Sequence, residues 1–258
     1  MIRQPTGKTS SKQRLPADNA MFWEEDDNKG PYKVPDDVVD IGFKLKSKTL
    51  PLEHAWALSE ALHDVLPWIR EEDTAGIHQI HGAESGNGWL RPEDTENELL
   101  HLSRRSKMFI RTPKAYQAEV EALTGQVFDI AGHKLEIGDS FVKMFGTQPE
   151  QFCRYVIVES DEEDESAFLQ RVVQDLGELL DTRIRKIMCG KPHTIRVPEG
   201  DIQTRSVMVA DLDPQLAVKL QQHGVGRGRH LGCGLFVPHK GIKAVGETED
   251  KSHFTGAE

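Results

Sequence analysis

Apolar and polar positions along the chain change period several times, and each change marks an element. Residues 38–45, VVDIGFKL, are β-rich and bounded by turn residues, which predicts a strand. In PLEHAWALSEALHDVLPWI, starting at Pro51, the residues Ala55, Leu58, Leu62, Val65, Leu66 and Ile69 keep helical spacing, which predicts a helix opened by the proline. GIHQIHG (76–82) is a short strand candidate, and HLSRRSKMFIRT (101–112) a longer one with mixed alternation. Pro113 introduces PKAYQAEVEALTG, a second helix closed by Gly125, and QVFDIAGHKLEIG reads as a hairpin turning at Ala131-Gly132.

The pattern then repeats. RYVIVES (154–160) predicts a strand, and ESAFLQRVVQDLGELLDT a helix with Phe168, Leu169, Val172, Val173, Leu176, Leu179 and Leu180 on one side. RIRKIMC and GDIQTRSVMVADL follow as strands, PQLAVKLQQH as a helix between Asp213-Pro214 and Gly224, and CGLFVPH as the last strand. Each half has the order β-α-β-β-α-β, so the expected fold class is α+β, two ferredoxin-like domains in tandem. The expected boundaries are a polar arm at 1–33, where Met21-Phe22-Trp23 offers a docking point, domains at 34–150 and 151–243, and a polar tail at 244–258.

Composition changes this picture in one respect. The 258 residues carry a net charge of -10, which argues against a polyanionic partner until the distribution is read. Residues 183–243 hold eleven Lys and Arg against four acids, so positive charge is concentrated in the second half. No apolar run reaches the roughly 18 residues of a membrane span, and the N-terminal residues lack the apolar stretch of a secretory signal. Cys153, Cys189 and Cys233 are scattered, with no C-x-x-C pair. The expectation is a cytoplasmic, reduced protein with no membrane partner, disulfide framework or cysteine metal site.

The densest chemistry lies in HGVGRGRHLGCG, where Gly224, Gly226, Gly228, Gly232 and Gly234 alternate with Arg227, Arg229 and His230. Glycine lets a ligand approach the main chain, and arginine presents a planar fork of donors suited to phosphate. The segment therefore reads as a phosphate cradle. A dinucleotide fingerprint would need its glycines after a strand and before a helix, and would need glycine where Arg229 stands. Here the glycines follow a helix and precede a strand.

Gly224-Val225-Gly226, five residues, then Gly232-Cys233-Gly234, placed before the final strand of a second ferredoxin-like unit, resembles the glycine-rich loop of the RAMP superfamily. LPLEHAWALSEAL, GIHQIHGAE and LSRRSKMFIRTP look like segments of its CRISPR-associated endoribonucleases, which cut repeat RNA into guide RNAs; the resemblance spans about residues 36–243. It implies tandem ferredoxin-like domains and CRISPR repeat RNA as partner, with subunits of a CRISPR effector complex as further partners. It implies cleavage without metal or other cofactor: a 2′-hydroxyl attacks the adjacent phosphate and leaves a 2′,3′-cyclic phosphate and a 5′-hydroxyl. The alternative is a non-catalytic RNA-binding subunit of the same superfamily.

That reaction needs a base, positive charge for the developing phosphorane, and RNA held in line. His54, placed in the first turn of the first helix, is the expected base, because a helix N-terminus disfavours the imidazolium; the plainer reading is a histidine that packs against the helix. His78 and His81 fall on opposite faces if GIHQIHG is extended, and His78 is the expected second catalytic imidazole. Their H-x-x-H spacing lacks a third metal ligand. Arg104 and Arg105 are expected at the catalytic phosphate, with Lys107 and Arg111 binding RNA along the same strand. Strict alternation puts Arg105, Lys107, Phe109 and Arg111 on one face and Arg104 beside Met108 and Ile110 on the other, so Arg104 is expected to need a buried partner. Gly224, Gly226, Arg227, Gly228, Arg229, His230, Gly232 and Gly234 complete the expected RNA-binding set. DEEDES (161–166) suits a helix start rather than a metal-binding carboxylate site, and Cys233 a close approach rather than a nucleophile.

Overall fold

The computed structural model describes residues 32–82, 98–160 and 162–240. The expected tail, and all of the expected arm except its last two residues, lie outside them, Met21, Phe22 and Trp23 included.

The chain opens with β1 (Val38–Leu45), β2 (Thr49–Pro51), α1 (Ala55–His63), β3 (Gly76–Ile77), β4 (Leu99–His101), β5 (Lys107–Pro113), α2 (Gln117–Glu121), β6 (Val127–Ile130) and β7 (His133–Lys143). Its main sheet has the order β3-β5-β1-β7-β6, every pair antiparallel, while β2 and β4 form a separate ribbon. The second half runs β8 (Gln151–Ile157), α3 (Glu165–Leu180), β9 (Lys186–Val197), β10 (Gly200–Ala210), α4 (Pro214–His223) and β11 (Val237–Pro238). Its antiparallel sheet has the order β11-β8-β10-β9. In both halves the first strand lies between the third and the last, which is the ferredoxin-like order expected from the sequence.

Local chemistry accounts for the elements. β1 is central, so VVDIGFKL is buried at every position but Lys44. The β6–β7 hairpin turns through Ala131 and Gly132, both at positive φ, with the Gly132 amide donating to Asp129 Oδ1 at 2.7 Å. Asp164 caps α3 by accepting from the Ala167 amide at 2.8 Å, and Phe168, Val172, Leu176 and Leu180 form the buried stripe.

Four expectations are corrected. Pro51 ends β2 instead of opening a helix; α1 starts at Ala55, and the chain passes into a short 3-10 turn at Pro67–Arg70, because Pro67 cannot continue an α-helix. Val65, counted on the apolar face, is 42% exposed. HLSRRSKMFIRT is split by a turn in which the Ser106 amide donates to Ser103 O at 3.0 Å. The last strand shrinks to Val237–Pro238, since Leu231–Phe236 belong to a buried loop.

Each sheet covers its own core: Ile41, Phe43, Leu58, Leu62, Met108 and Ile110 in the first half, and Phe168, Val172, Leu176, Val207 and Phe236 in the second. A smaller cluster of Ala55, Tyr155, Ile157, Ile195, Leu231 and Cys233 joins the two. Among the described residues no helix is long and apolar enough to cross a membrane.

Candidate nucleic-acid interface

Residues of both sheets line one cleft, and strand irregularities shape part of that lining. β10 pairs Arg205 with Val156 and then Val207 with Cys153, so Arg154 and Tyr155 together oppose the single residue Ser206. A bulge of this kind re-aims neighbouring side chains, and both Arg154 and Tyr155 reach the cleft. On the other side β3 stops at Ile77, so strict alternation ends there. His78 and His81, expected on opposite faces, both line the cleft.

The cavity measures about 400 Å³. Arg105, Lys107, Lys143 and Arg154 surround it, with Phe109, Phe152 and Tyr155 between them. Its carboxylate is Asp40, which lies under Arg111: the guanidinium Nε donates to Oδ1 at 2.8 Å and Nη2 to Oδ2 at 3.2 Å. Burial opposes the charge on Asp40, but the Arg111 guanidinium outweighs it and holds the carboxyl well below the usual carboxylate range. The cleft thus presents cations and aromatic faces, a combination suited to a single-stranded polyanion.

His78 Nε2 is buried, 3.6 Å from Asp40 Oδ1, and the ring meets Phe109 edge-on. Burial lowers its pKa, with Asp40 pulling the other way, so the imidazole is neutral at pH 7. His81 is exposed at the cleft, its ring 6.3 Å from that of Tyr155, which in turn meets His193 edge-on at 5.7 Å.

His54 stands elsewhere. Its side chain is buried; Nδ1 lies 3.0 Å from Pro51 O and 3.2 Å from Leu52 O, and Nε2 accepts from the Ile80 amide at 3.0 Å. The carbonyls fix the proton on Nδ1, and the amide occupies the lone pair that a base would use. In this conformation His54 braces the segment that carries His78 and His81 instead of facing the cleft.

The expected basic strand also divides. Arg104 and Arg105 sit in the Ser103–Ser106 turn, both exposed, so Arg104 does not have the buried position expected for it; Arg105 lines the cleft. Lys107 is exposed at the cleft. Arg111 shares their face but is fully buried beneath the second half, donating to Asp40, Gln221 O and Phe236 O. With its donors committed, it does not meet RNA in this structure.

The glycine loop is a knot between the halves more than a bare cradle. A Cβ at Gly224 would fall 2.1 Å from Gly234 O, and one at Gly234 would fall 2.1 Å from Val225 O, so the glycines let the loop close on itself. Gly228 packs on Ile157 and Cys233, and Gly232 on Gln79 and Ile77 O while also lining the cleft. Gly226 alone of the five faces open space. Arg229 donates to Thr74 O and Ala75 O in the first half, at 3.0 and 2.8 Å. It also donates to Gln222 O and His223 O at the C-terminus of α4, at 3.1 and 2.5 Å. Burial lowers its pKa to about 9, which leaves it charged at pH 7. In this structure Arg229 is a staple between the halves, its donors committed to four carbonyls. Arg227 is exposed and pairs with Glu159 at 3.3 Å. His230 points toward α1 and the turn after it, where burial first and Arg70 next lower its pKa. Cys233 is fully buried, and burial raises its thiol pKa, as suits a close approach.

Asp40, Lys143, Phe152, Arg154 and Tyr155 were not singled out by sequence. Nothing in RYVIVES signals the bulge at Arg154 and Tyr155; the matching irregularity in β9 does carry a mark, Gly190, whose Cβ would fall 2.4 Å from Ser206 Oγ. Among the described residues no group of three or more His, Cys, Asp or Glu is arranged to hold a metal ion.

Known proteins resemble this chain in sequence and in fold. A family model described as Cas6 Crispr matches residues 39–241. A CRISPR-associated endonuclease Cas6 of Myxococcus xanthus is 27% identical over 203 residues, covering 78% of this chain and 81% of that protein. A solved structure of a CRISPR associated protein Cas6 is similar with a TM-score of 0.54 at 11% identity, over 79% of this chain and all (100%) of that one. A RAMP protein described as binding different RNA substrates follows with a TM-score of 0.53 at 14% identity, over 77% and 98% of the two chains. At such identities the structures speak for the fold, which is the tandem ferredoxin-like one. The family match spans both sheets and the cleft between them: the chain belongs to the Cas6 family.

Proposed function

We propose that the cleft binds CRISPR repeat RNA and cuts it into guide RNAs, acting as an endoribonuclease that needs no metal. The observation that carries this reading is the lining of the cleft by the described residues: two imidazoles beside four cations, with the Asp40 carboxylate neutralised by Arg111. Arg105, Lys107, Lys143 and Arg154 hold successive phosphates and stabilise the charge of the phosphorane. His81 and His78 move the protons. One imidazole takes the proton from the ribose 2′-hydroxyl as its oxygen bonds to phosphorus, and the phosphorus–O5′ bond breaks. The imidazole then returns that proton to the 5′-oxygen, giving a 2′,3′-cyclic phosphate and a 5′-hydroxyl. His81 is placed first because it is the accessible imidazole; His78, its Nε2 buried 3.6 Å from Asp40 Oδ1, is the second.

The test is single-turnover cleavage of the cognate repeat RNA in EDTA. His81→Ala is expected to slow it by about 10²- to 10⁴-fold, and a 2′-deoxy nucleotide at the scissile position to abolish it. A folded His81→Ala protein cutting at the wild-type rate, while His54→Ala is inactive, would return the role of base to His54. A non-catalytic subunit of an effector complex would bind both RNAs equally and cut neither.

A further inference from the structure

We infer that the open face of the first sheet carries a stacking shelf for unpaired bases, made by Phe109 and Phe141 lying over Gly42. This rests on the RNA reading of the cleft and adds which part of the RNA the sheet holds.

Gly42 sits in central β1, with Phe109 of β5 and Phe141 of β7 as its register partners on either side. A Cβ there would fall 2.3 Å from Phe141 Cζ and 2.7 Å from Phe109 Cε1. The missing side chain is what lets both rings settle over the strand. They meet edge to face, centroids 5.9 Å apart, and both are only partly buried. Glycine inside a strand weakens it and commonly marks a close approach. Covering the glycine accounts for a ring at this position; it does not account for the cations above the rings. Lys143 Nζ stands 5.0 Å from the Phe109 centroid and Lys107 Nζ 4.6 Å from that of Phe141. Both lysines are exposed, and both line the cleft together with Phe109, so the shelf continues the cleft outward.

A ring face that attracts an ammonium also attracts the face of a base. A lysine can swing from the ring to the phosphate of the incoming nucleotide as the base takes its place, so the contact is kept and a stack is gained. Paired bases hide their faces inside a duplex, so the shelf selects single-stranded RNA. Asp139, on the same side of the sheet, is already paired with Lys44 at 2.9 Å.

The experiment uses the full chain and a short unstructured RNA carrying 2-aminopurine, with its duplex and an abasic version as controls. Wild-type protein is expected to quench the fluorophore in the single strand and not in the duplex. Phe141→Leu is expected to weaken single-strand binding about 5- to 150-fold and to remove the quench, with the dependence of affinity on salt unchanged and abasic RNA bound as by wild type. Lys107→Gln, which leaves the rings in place, is expected to keep the quench and lower the salt dependence. Wild-type quench and affinity in a folded Phe141→Leu protein would reduce the rings to a cover for Gly42 and overturn the shelf, even if the protein still cuts repeat RNA. Quenching without any cleavage of repeat RNA would keep the shelf and remove the nuclease reading.

Discussion

His54 shows how one buried side chain governs a site it does not enter. Its ring links the carbonyls before α1 to the Ile80 amide, which lies between the two cleft histidines. His54→Ala leaves those groups without partners and should cost about 1–3 kcal/mol of stability, read by urea unfolding. Cleavage should fall with it, because His78 and His81 lose their support. The residual activity should keep the acid midpoint of the wild-type pH–rate profile; loss of that midpoint would make His54 the titrating base. Arg229 is separated from a phosphate ligand by salt. Arg229→Gln removes donors from four carbonyls and should lower the unfolding midpoint, yet leave the salt dependence of RNA affinity unchanged. Arg105→Ala should do the reverse, reducing the slope of log affinity against log salt by about 0.7. An unchanged slope for Arg105→Ala would remove it from the RNA path.

Among the elements, the loop from Gly224 to Gly234 has the sharpest consequences. Its ends cross so closely that no side chain fits at Gly234, where φ is also +67°. Gly234→Ala is expected to destabilise by more than about 3 kcal/mol, since backbone on both sides must move. Gly226→Ala meets nothing within 4 Å and carries only the cost of its positive φ, about 1–2 kcal/mol. Thermal melts of the two variants side by side check this; equal losses would mean that the loop does not close on itself. The same loop shows what periodicity reads well and badly. α3 was legible because a capping residue and a 3.6-residue stripe agree, and α4 because Pro214 opens it and Gly224 closes it, although the Asp213 side chain makes no cap hydrogen bond. The helix assigned to 51–69 was too long, because apolar spacing continues through Pro67 while the backbone cannot. The turn at Arg104-Arg105 was invisible, because serine and arginine are neutral between strand and turn until Ser103 and Ser106 are seen bonding each other's backbone.

At the scale of the molecule, two buried guanidiniums set how the halves meet. Arg111, from the first half, and Arg229, from the second, both donate to carbonyls at the end of α4, and Arg229 also donates to Thr74 O and Ala75 O of the first half. The resulting cleft gathers four cations, so affinity for single-stranded RNA should fall with a log–log salt slope of about −3. Acid should loosen the assembly. His78, His223 and His230 all have pKa values lowered from 6.5, in each case mainly by burial. Below that value the unfolded chain takes up protons that the folded chain refuses, so stability falls as pH drops through 6.5 and goes on falling until the folded imidazoles protonate. Melting temperature measured between about pH 8 and pH 5 should show this decline, and replacing His78 with Gln should flatten it. A constant melting temperature across that range would mean these imidazoles titrate as freely folded as unfolded.

What the sequence determined by itself is the order of elements and the class of chemistry. Spacing of apolar residues, caps and turns is local, so the β-α-β-β-α-β repeat could be read twice along one chain, and glycine, arginine and histidine could be recognised as phosphate and proton chemistry. Only the tertiary structure decided which of those residues meet. Arg111, Arg229 and His54 turned inward because buried carbonyls, an amide and Asp40 needed partners across the fold, and such partners lie up to 155 positions away in the chain. Arg154 and Tyr155 lie at a bulge and reach the cleft, and Lys143 lines it from its place opposite Asp40 in the sheet. Charge and shape at one position are written locally; the direction in which a side chain points depends on what the rest of the chain brings beside it.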